Sequence, residues 1–342
     1  MTAISRKRLP IGIQNLREIR EGDYYYVDKT GFALRLIDEG KYYFLSRPRR
    51  FGKSLFLDTL GELFAGNESL FRSLAIHDRW DWSRHFPVIR LSFGGGVMRD
   101  EGELEQKIRE LLTVNQEALD LKYKQTSIAG CFEELIRKAH AASGERGGVL
   151  VDEYDKPILD NLTEPQTSRA MRDGLRNLYS VIKDADSHIR FAFLTGVSKF
   201  SKVSLFSGLN NLNDITLDSR FSAICGYTEN DLDLVFASEL GGLDRDTIRT
   251  WYNGYNWTGE AVYNPFDVLL LFQKRKFHPW WFETATPTFL VEVLKERQTW
   301  LPNLGRIETS ADLLSTFEVG NIPTEALLFQ TGYLTIDTEE EF

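Results

Sequence analysis

Several things are scarce in this chain, and each scarcity removes a class of protein. It has two cysteines, Cys131 and Cys225, far apart and without metal-ligand spacing, which excludes a disulfide framework and a zinc site and leaves two small buried hydrophobes. Its five histidines, at 77, 85, 140, 188 and 278, show no HExxH or paired spacing, so a resident histidine-bound metal is not expected. No apolar run approaches the roughly 18 residues of a membrane span, and the basic start Met1–Arg8 lacks the apolar centre of a signal peptide. A cytoplasmic, reducing location is the expectation. Positive charge is also in deficit: the net charge is -9 and the pI about 5.3, so any nucleic-acid contact must be local. Repeats and low-complexity segments are absent.

What is present is enough apolar material, 42% of 342 residues, for a large α/β domain and a smaller one. Between residues 42 and 195 short apolar runs alternate with helical patterns, the signature of βαβ units around a mainly parallel sheet. Tyr42–Leu45, Pro87–Phe93, Val149–Val151 and Phe191–Leu194 read as strands. Met171, Leu175, Leu178 and Ile182 form one helical stripe. After about residue 226 the texture changes: Thr228-Glu229-Asn230-Asp231 reads as a helix start, followed by a region rich in tryptophan and tyrosine. The expected division is residues 1–225 as an α/β core with an N-terminal extension and 226–342 as a mainly helical region.

The chemistry begins at Ser46-Arg47-Pro48-Arg49-Arg50-Phe51-Gly52-Lys53-Ser54. Gly52-Lys53-Ser54 matches the second half of G-x-x-x-x-G-K-[ST], the loop whose amides and helix N-terminus surround phosphates, whose lysine reaches the terminal ones and whose hydroxyl holds Mg²⁺. Arg47 stands where the first glycine belongs, so that turn must form without positive-φ freedom, helped by Pro48. The arginines at 47, 49 and 50 add positive charge where a triphosphate would lie. A strand before the loop and a helix-competent segment after it supply the required context; a basic surface turn is the alternative.

The second motif is Gly148-Val149-Leu150-Val151-Asp152-Glu153, an apolar strand ending in two acids. In an ATPase, Asp152 stands beside Mg²⁺ and Glu153 polarises the attacking water; alone, the pair could be solvated turn residues. Another strand, at 88–93, separates the two motifs in sequence, which suggests an extra strand inserted between the motif-bearing ones. That and the adjacent glutamate resemble the additional-strand, catalytic-glutamate division of P-loop ATPases. Thr195, and after it Ser198, is then the candidate polar residue reaching the γ-phosphate or the water, with helix capping as the alternative.

The wording of the chain completes a resemblance. Tyr25–Thr30, Arg47–Ser54, Asp152-Glu153-Tyr154-Asp155-Lys156-Pro157, Thr195–Phe200, Trp251–Tyr255, Tyr263–Phe266 and Leu327–Leu334 together resemble the bacterial AAA-ATPase-like family over roughly residues 8–336. The resemblance implies a P-loop NTPase three-layer α/β/α core, a smaller mainly helical, winged-helix-like domain, and ATP with Mg²⁺ as cofactors. Arg49, Arg50, Phe51, Gly52, Lys53, Ser54 and Leu55 would hold ATP, Ser54 and Asp152 the metal, and Glu153 and Thr195 would serve catalysis. Many members carry a C-terminal PD-(D/E)xK nuclease domain, and no such motif follows Ile336 here. The implied function is an ATPase whose hydrolysis moves its C-terminal region or a nuclease partner, with DNA as a further partner. The alternatives are an ATP-driven switch with little turnover and a nucleic-acid-binding module. Gly94-Gly95-Gly96 reads as a flexible turn, and the tryptophans as packing in preference to base stacking. Arg220 is a surface arginine unless subunits form a homo-oligomer in which it acts in trans.

Overall fold

The computed structural model describes residues 6–199, 205–206, 209, 211–284, 290–291, 294–295, 307–310 and 323–338. Phe200 and the acidic residues 339–341 therefore lie outside the described residues. Helices Leu16–Glu21 (α1) and Thr30–Glu39 (α2) precede strand Tyr42–Ser46 (β1). Then come Lys53–Phe64 (α3), Val88–Ser92 (β2), Glu101–Ala118 (α4), Ile128–Ser143 (α5), Gly147–Asp152 (β3), Lys156–Leu159 (α6), Pro165–Asp184 (α7) and Ile189–Gly196 (β4). Asn213–Asp214 (β5) follows, then Glu229–Val235 (α8), Arg245–Tyr252 (α9), Pro265–Lys274 (α10), Trp280–Thr284 (α11) and a helix at Thr324–Gln330.

The five strands form one parallel sheet in the order β2-β3-β4-β1-β5. All four strands expected from apolar runs are present. The strand inserted between the two motif-bearing ones is not the one that chain order suggested. β2 is an edge strand, and β4 fills the place between β1 and β3, pairing Leu45 with Thr195 on one side and Val151 with Leu194 on the other. Sheet order is decided by where each crossover lays its strand, which chain order does not report. β5, two residues long, is too short to show a period.

Strand side chains alternate between faces, and the two faces bury different sets. Tyr42, Phe44, Val149, Val151, Ala192 and Leu194 meet the apolar sides of α4, α5 and α7. Tyr43, Leu45, Leu150, Phe191 and Phe193 meet α2 and α3. The stripe Met171, Leu175, Leu178 and Ile182 is wholly buried, each residue contributing roughly 1.5–3 kcal/mol relative to exposure. Helices thus cover both faces, and the C-terminal ends of β1, β3 and β4 are left for the loops.

A third apolar cluster joins α8, α9 and α10 through Leu232, Phe236, Ile248, Tyr252, Leu271 and Phe272, with Tyr25 and Val27 from before α2. The helix start at Thr228 is a capping box: its hydroxyl accepts the Asp231 amide and the Asp231 carboxylate accepts the Thr228 amide. Tyr252 and Trp257 are buried as packing residues, whereas Trp251 is 40% exposed.

The helical region reaches under the arginine-rich loop. Arg47, only 1% exposed, has its guanidinium 4.1 Å from the centre of the Trp257 ring and donates to the carbonyls of Ser46 (2.9 Å), Thr216 (2.8 Å) and Phe221 (3.2 Å). Burial pulls its pKa down to about 10, so it stays charged at neutral pH. Phe51 stands edge-on to the rings of Tyr255 and Trp257. Asp267, on the first turns of α10, is buried with neither carboxylate oxygen hydrogen-bonded among the described residues, and burial pushes its pKa up to about 7.

Two stability experiments follow from this packing. Arg47→Gly, which restores the usual loop glycine, removes the stack on Trp257 and three hydrogen bonds, and should lower unfolding free energy by on the order of 2–4 kcal/mol; an unchanged melting midpoint would refute the brace. Asp267 in the native state keeps a proton that the unfolded chain has released once pH passes the ordinary value of 3.8, so it lowers stability progressively as pH rises from there to about 7. Asp267→Asn should match the parent in acid and exceed it by on the order of 1–3 kcal/mol at about pH 8. Denaturant melts across that pH range measure the difference, and a constant offset at every pH would contradict it.

Candidate functional site

β1 ends at Ser46, whose amide donates to the Thr216 hydroxyl (3.1 Å) and whose hydroxyl donates to the Val197 carbonyl (2.5 Å). From there the loop runs to Gly52, with positive φ at Arg50 (69°) and at Gly52 (96°), immediately before α3. Gly52 is the position where the turn into the helix requires the left-handed region and glycine meets it without strain. Arg47 has no positive φ, so the turn needs no glycine there. Its charge is also not where a triphosphate would lie. It is turned beneath the loop onto Trp257, because backbone carbonyls and an indole face satisfy it there.

The other two arginines differ. Arg50 lies 4.8 Å from the ring centre of Phe266 on α10, and Arg49 forms no ion pair among the described residues. Lys53, the first residue of α3, is buried and its ammonium donates to the loop carbonyls of Arg47 (3.0 Å) and Pro48 (2.9 Å). Burial lowers its pKa, and the nearby Asp152 carboxylate acts in the opposite direction. The Ser54 hydroxyl makes no hydrogen bond among the described residues and is free to ligate.

One cavity of about 420 Å³ opens beside this loop. Arg49, Arg50, Phe51, Gly52, Lys53, Ser54 and Leu55 all line it, and so does Glu153 from the end of β3. The structure therefore brings the two sequence motifs to one cavity. Asp152 is buried and does not line it, its Oδ1 accepting the Glu153 amide at 3.0 Å. Glu153 sits at φ 49°, a left-handed backbone that aims its side chain away from the strand, and its carboxylate accepts no hydrogen bond among the described residues. Burial, and then the Asp152 charge, raise its pKa. A carboxylate with raised basicity and no protein donor is suited to take a proton from water.

Thr195 is placed differently from the expectation. It is fully buried, its hydroxyl donates to the Leu45 carbonyl across the β1–β4 pair (2.9 Å), and it does not line the cavity. Ser198 is also buried, held by Asp155, whose Oδ2 accepts both its amide and its hydroxyl at 2.6 Å. Asp155 takes the Val197 amide as well (3.1 Å), tying the segment after β4 to the segment after β3. Burial raises the Asp155 pKa in spite of these bonds. Arg220 is engaged by Asp218 and Glu39 at half exposure, away from the cavity.

Sequence reasoning did not foresee the rest of the cavity lining. Gln14, Tyr26, Lys29, Tyr227 and Phe266 come from the N-terminal extension and the helical region, and no spacing links them. The signal some of them carried was the family resemblance, Phe266 within Tyr263–Phe266 and Tyr26 and Lys29 within Tyr25–Thr30. There the Asp28 carboxylate accepts the Thr30 amide and hydroxyl as a turn, while Lys29 lines the cavity and pairs with Asp231 at 2.7 Å. Among the described residues no group of three or more His, Cys, Asp or Glu side chains could hold a metal ion by itself, and no helix is long and apolar enough to cross a membrane.

An uncharacterized protein in the vnfD 5' region of Azotobacter chroococcum mcd 1 is 72% identical over 334 residues, which is 97% of this chain and 65% of the relative. The chain thus spans less than two thirds of that relative's length. No solved structure matches it. The model of the AAA-ATPase-like family, described as "Predicted AAA-ATPase", matches residues 10–206, more than half of the chain, and the protein belongs to that family.

Proposed function

We propose that this chain binds ATP with Mg²⁺ in the cavity and hydrolyses it. The observation that carries the proposal is that Lys53 and Ser54, at the N-terminus of α3, line one cavity together with Glu153, whose carboxylate accepts no hydrogen bond among the described residues. The amides at the start of α3, together with Lys53 and Arg49, favour a polyphosphate. For this, the Lys53 ammonium must leave the Arg47 and Pro48 carbonyls for phosphate oxygens.

Ser54 and Asp152 are the residues that would hold Mg²⁺, since the hydroxyl is unengaged among the described residues and the buried carboxylate uses one oxygen on the Glu153 amide. There it would supply positive charge against the phosphate oxygens. Glu153 takes the proton of the attacking water. Thr195 acts through position, its hydroxyl tying the end of β4 to the end of β1, from which the loop starts. The insertion of β4 between β1 and β3 supports assignment to the additional-strand, catalytic-glutamate division.

The coupling is to the C-terminal region. α8–α10, with the antiparallel bridges Tyr227–Tyr263 and Tyr255–Val262, is the part we assign to the winged-helix-like unit. It touches the loop through Phe266 on Arg50 and Trp257 on Arg47, so a change in the loop on hydrolysis is felt there first. The object moved, whether the helical region alone, a nuclease partner or DNA, is the same proposal at its next step.

Lys53→Ala should abolish ATP binding, read by equilibrium titration. Glu153→Gln should keep binding within about threefold and lower turnover by roughly a hundredfold or more. Wild-type turnover no greater than that of Glu153→Gln, with binding intact, would make the protein an ATP-driven switch and not an ATPase.

A further inference from the structure

Gly94-Gly95-Gly96 follows β2 and has no part in the loop that would grip phosphate. The β2–β3 ladder pairs Ser92 with Asp152, and the next amide, Phe93, donates to the Asp152 carbonyl at 3.1 Å. Gly94 is thereby carried alongside Glu153, and both line the cavity. A methyl group on Gly94 would lie 3.1 Å from Glu153 Oε2 and 3.3 Å from its Cδ, closer than ordinary van der Waals contact.

Backbone conformation does not call for glycine at this position. Gly94 lies outside the left-handed region, unlike Gly96 at φ 79°, where the turn itself needs it. Gly95 is neither strained nor crowded: a methyl there would meet only the Lys107 ammonium, at 3.8 Å. What the missing side chain of Gly94 provides is therefore space, on the side of Glu153 that faces the cavity.

The Glu153 backbone is fixed, and only its carboxylate, which accepts no hydrogen bond among the described residues, could turn from an intruding group. Its amide is bonded to Asp152 Oδ1 and its carbonyl accepts the Lys156 amide at 3.1 Å. The glycine segment is held at its far end too, the Lys156 ammonium donating to the Gly96 carbonyl at 2.5 Å. Two anchored backbone segments thus face each other, and a methyl on Gly94 would press on the carboxylate that stands between them.

We infer that Gly94 is a positioning residue that reserves, against the Glu153 carboxylate, the place of the nucleophilic water. The inference rests on the hydrolysis reading above. In the step concerned the water oxygen forms a bond to the γ-phosphorus and its proton passes to Glu153. The bond from that phosphorus to the bridging oxygen breaks, and its electron pair leaves with ADP. A methyl at Gly94 occupies the water's place and leaves the phosphate contacts of Lys53 and Ser54 untouched.

The test compares the full chain with its Gly94→Ala, Gly95→Ala and Glu153→Gln variants in ATP turnover and in ATP titration, with melting midpoints as the check on folding. Gly94→Ala should lower kcat by about tenfold or more while KM and ATP affinity stay within about threefold, and Gly95→Ala should keep parental turnover. Parental kcat in Gly94→Ala would overturn the inference and leave the ATPase reading standing. Loss of ATP binding in Gly94→Ala in step with turnover would overturn it as well, since the glycine would then shape the binding site as a whole. An equal fall in Gly95→Ala would do the same, by making loop flexibility the cause. Turnover in the parent no greater than in Glu153→Gln would remove the ATPase reading and this inference with it.

Discussion

The hydrogen bonding of β4 between β1 and β3 is the constraint on which the rest of the site depends. Parallel strands deliver their C-terminal ends to one edge of a sheet, so the arginine-rich loop after β1 and the acidic pair after β3 emerge on the same edge, one strand apart. With β4 absent from that gap the two would abut; with another strand added they would be out of reach. Two buried side chains hold the spacing from within: Thr195 bonds the Leu45 carbonyl, and Asp155 bonds the amides of Val197 and Ser198. Neither lines the cavity, yet both govern how its walls stand to each other.

Arg47 shows the same logic from beneath. A buried cation without a carboxylate partner is tolerable when carbonyl oxygens and an aromatic face replace water, and Arg47 has three such carbonyls and the Trp257 ring. The substitution that breaks the usual loop pattern thus links the loop to the helical region. Further along the loop Arg50 and Phe51 make similar links to Phe266 and to Tyr255, so three residues of the loop rest on the later part of the chain. A displacement of the loop therefore has a short physical path to that region.

How much of this was legible in the sequence depended on whether the signal was local. Four strands, the α7 stripe and the capping box at Thr228 are local patterns of period or cap, and each is present. Gly52-Lys53-Ser54 and Asp152-Glu153 were legible because each needs only its own strand end and turn. The role of Arg47 was not, since a guanidinium among arginines looks like charge for phosphate until its partners from residues 216, 221 and 257 are known. Thr195 failed to face the cavity for a related reason: which way a strand-end hydroxyl points depends on the neighbouring strand that accepts its bond.

By itself, then, the sequence determined the family, the parallel α/β core and the two motifs, all of them carried by short stretches whose meaning survives without neighbours. Only the tertiary structure decided that β4 and not β2 lies between those motifs, that Gly94 stands beside Glu153, and that the rest of the cavity lining comes largely from residues before α2 and after β5. These are relations between segments far apart in the chain, and they are set by crossover geometry and by the burial of shared apolar faces, which no local pattern records.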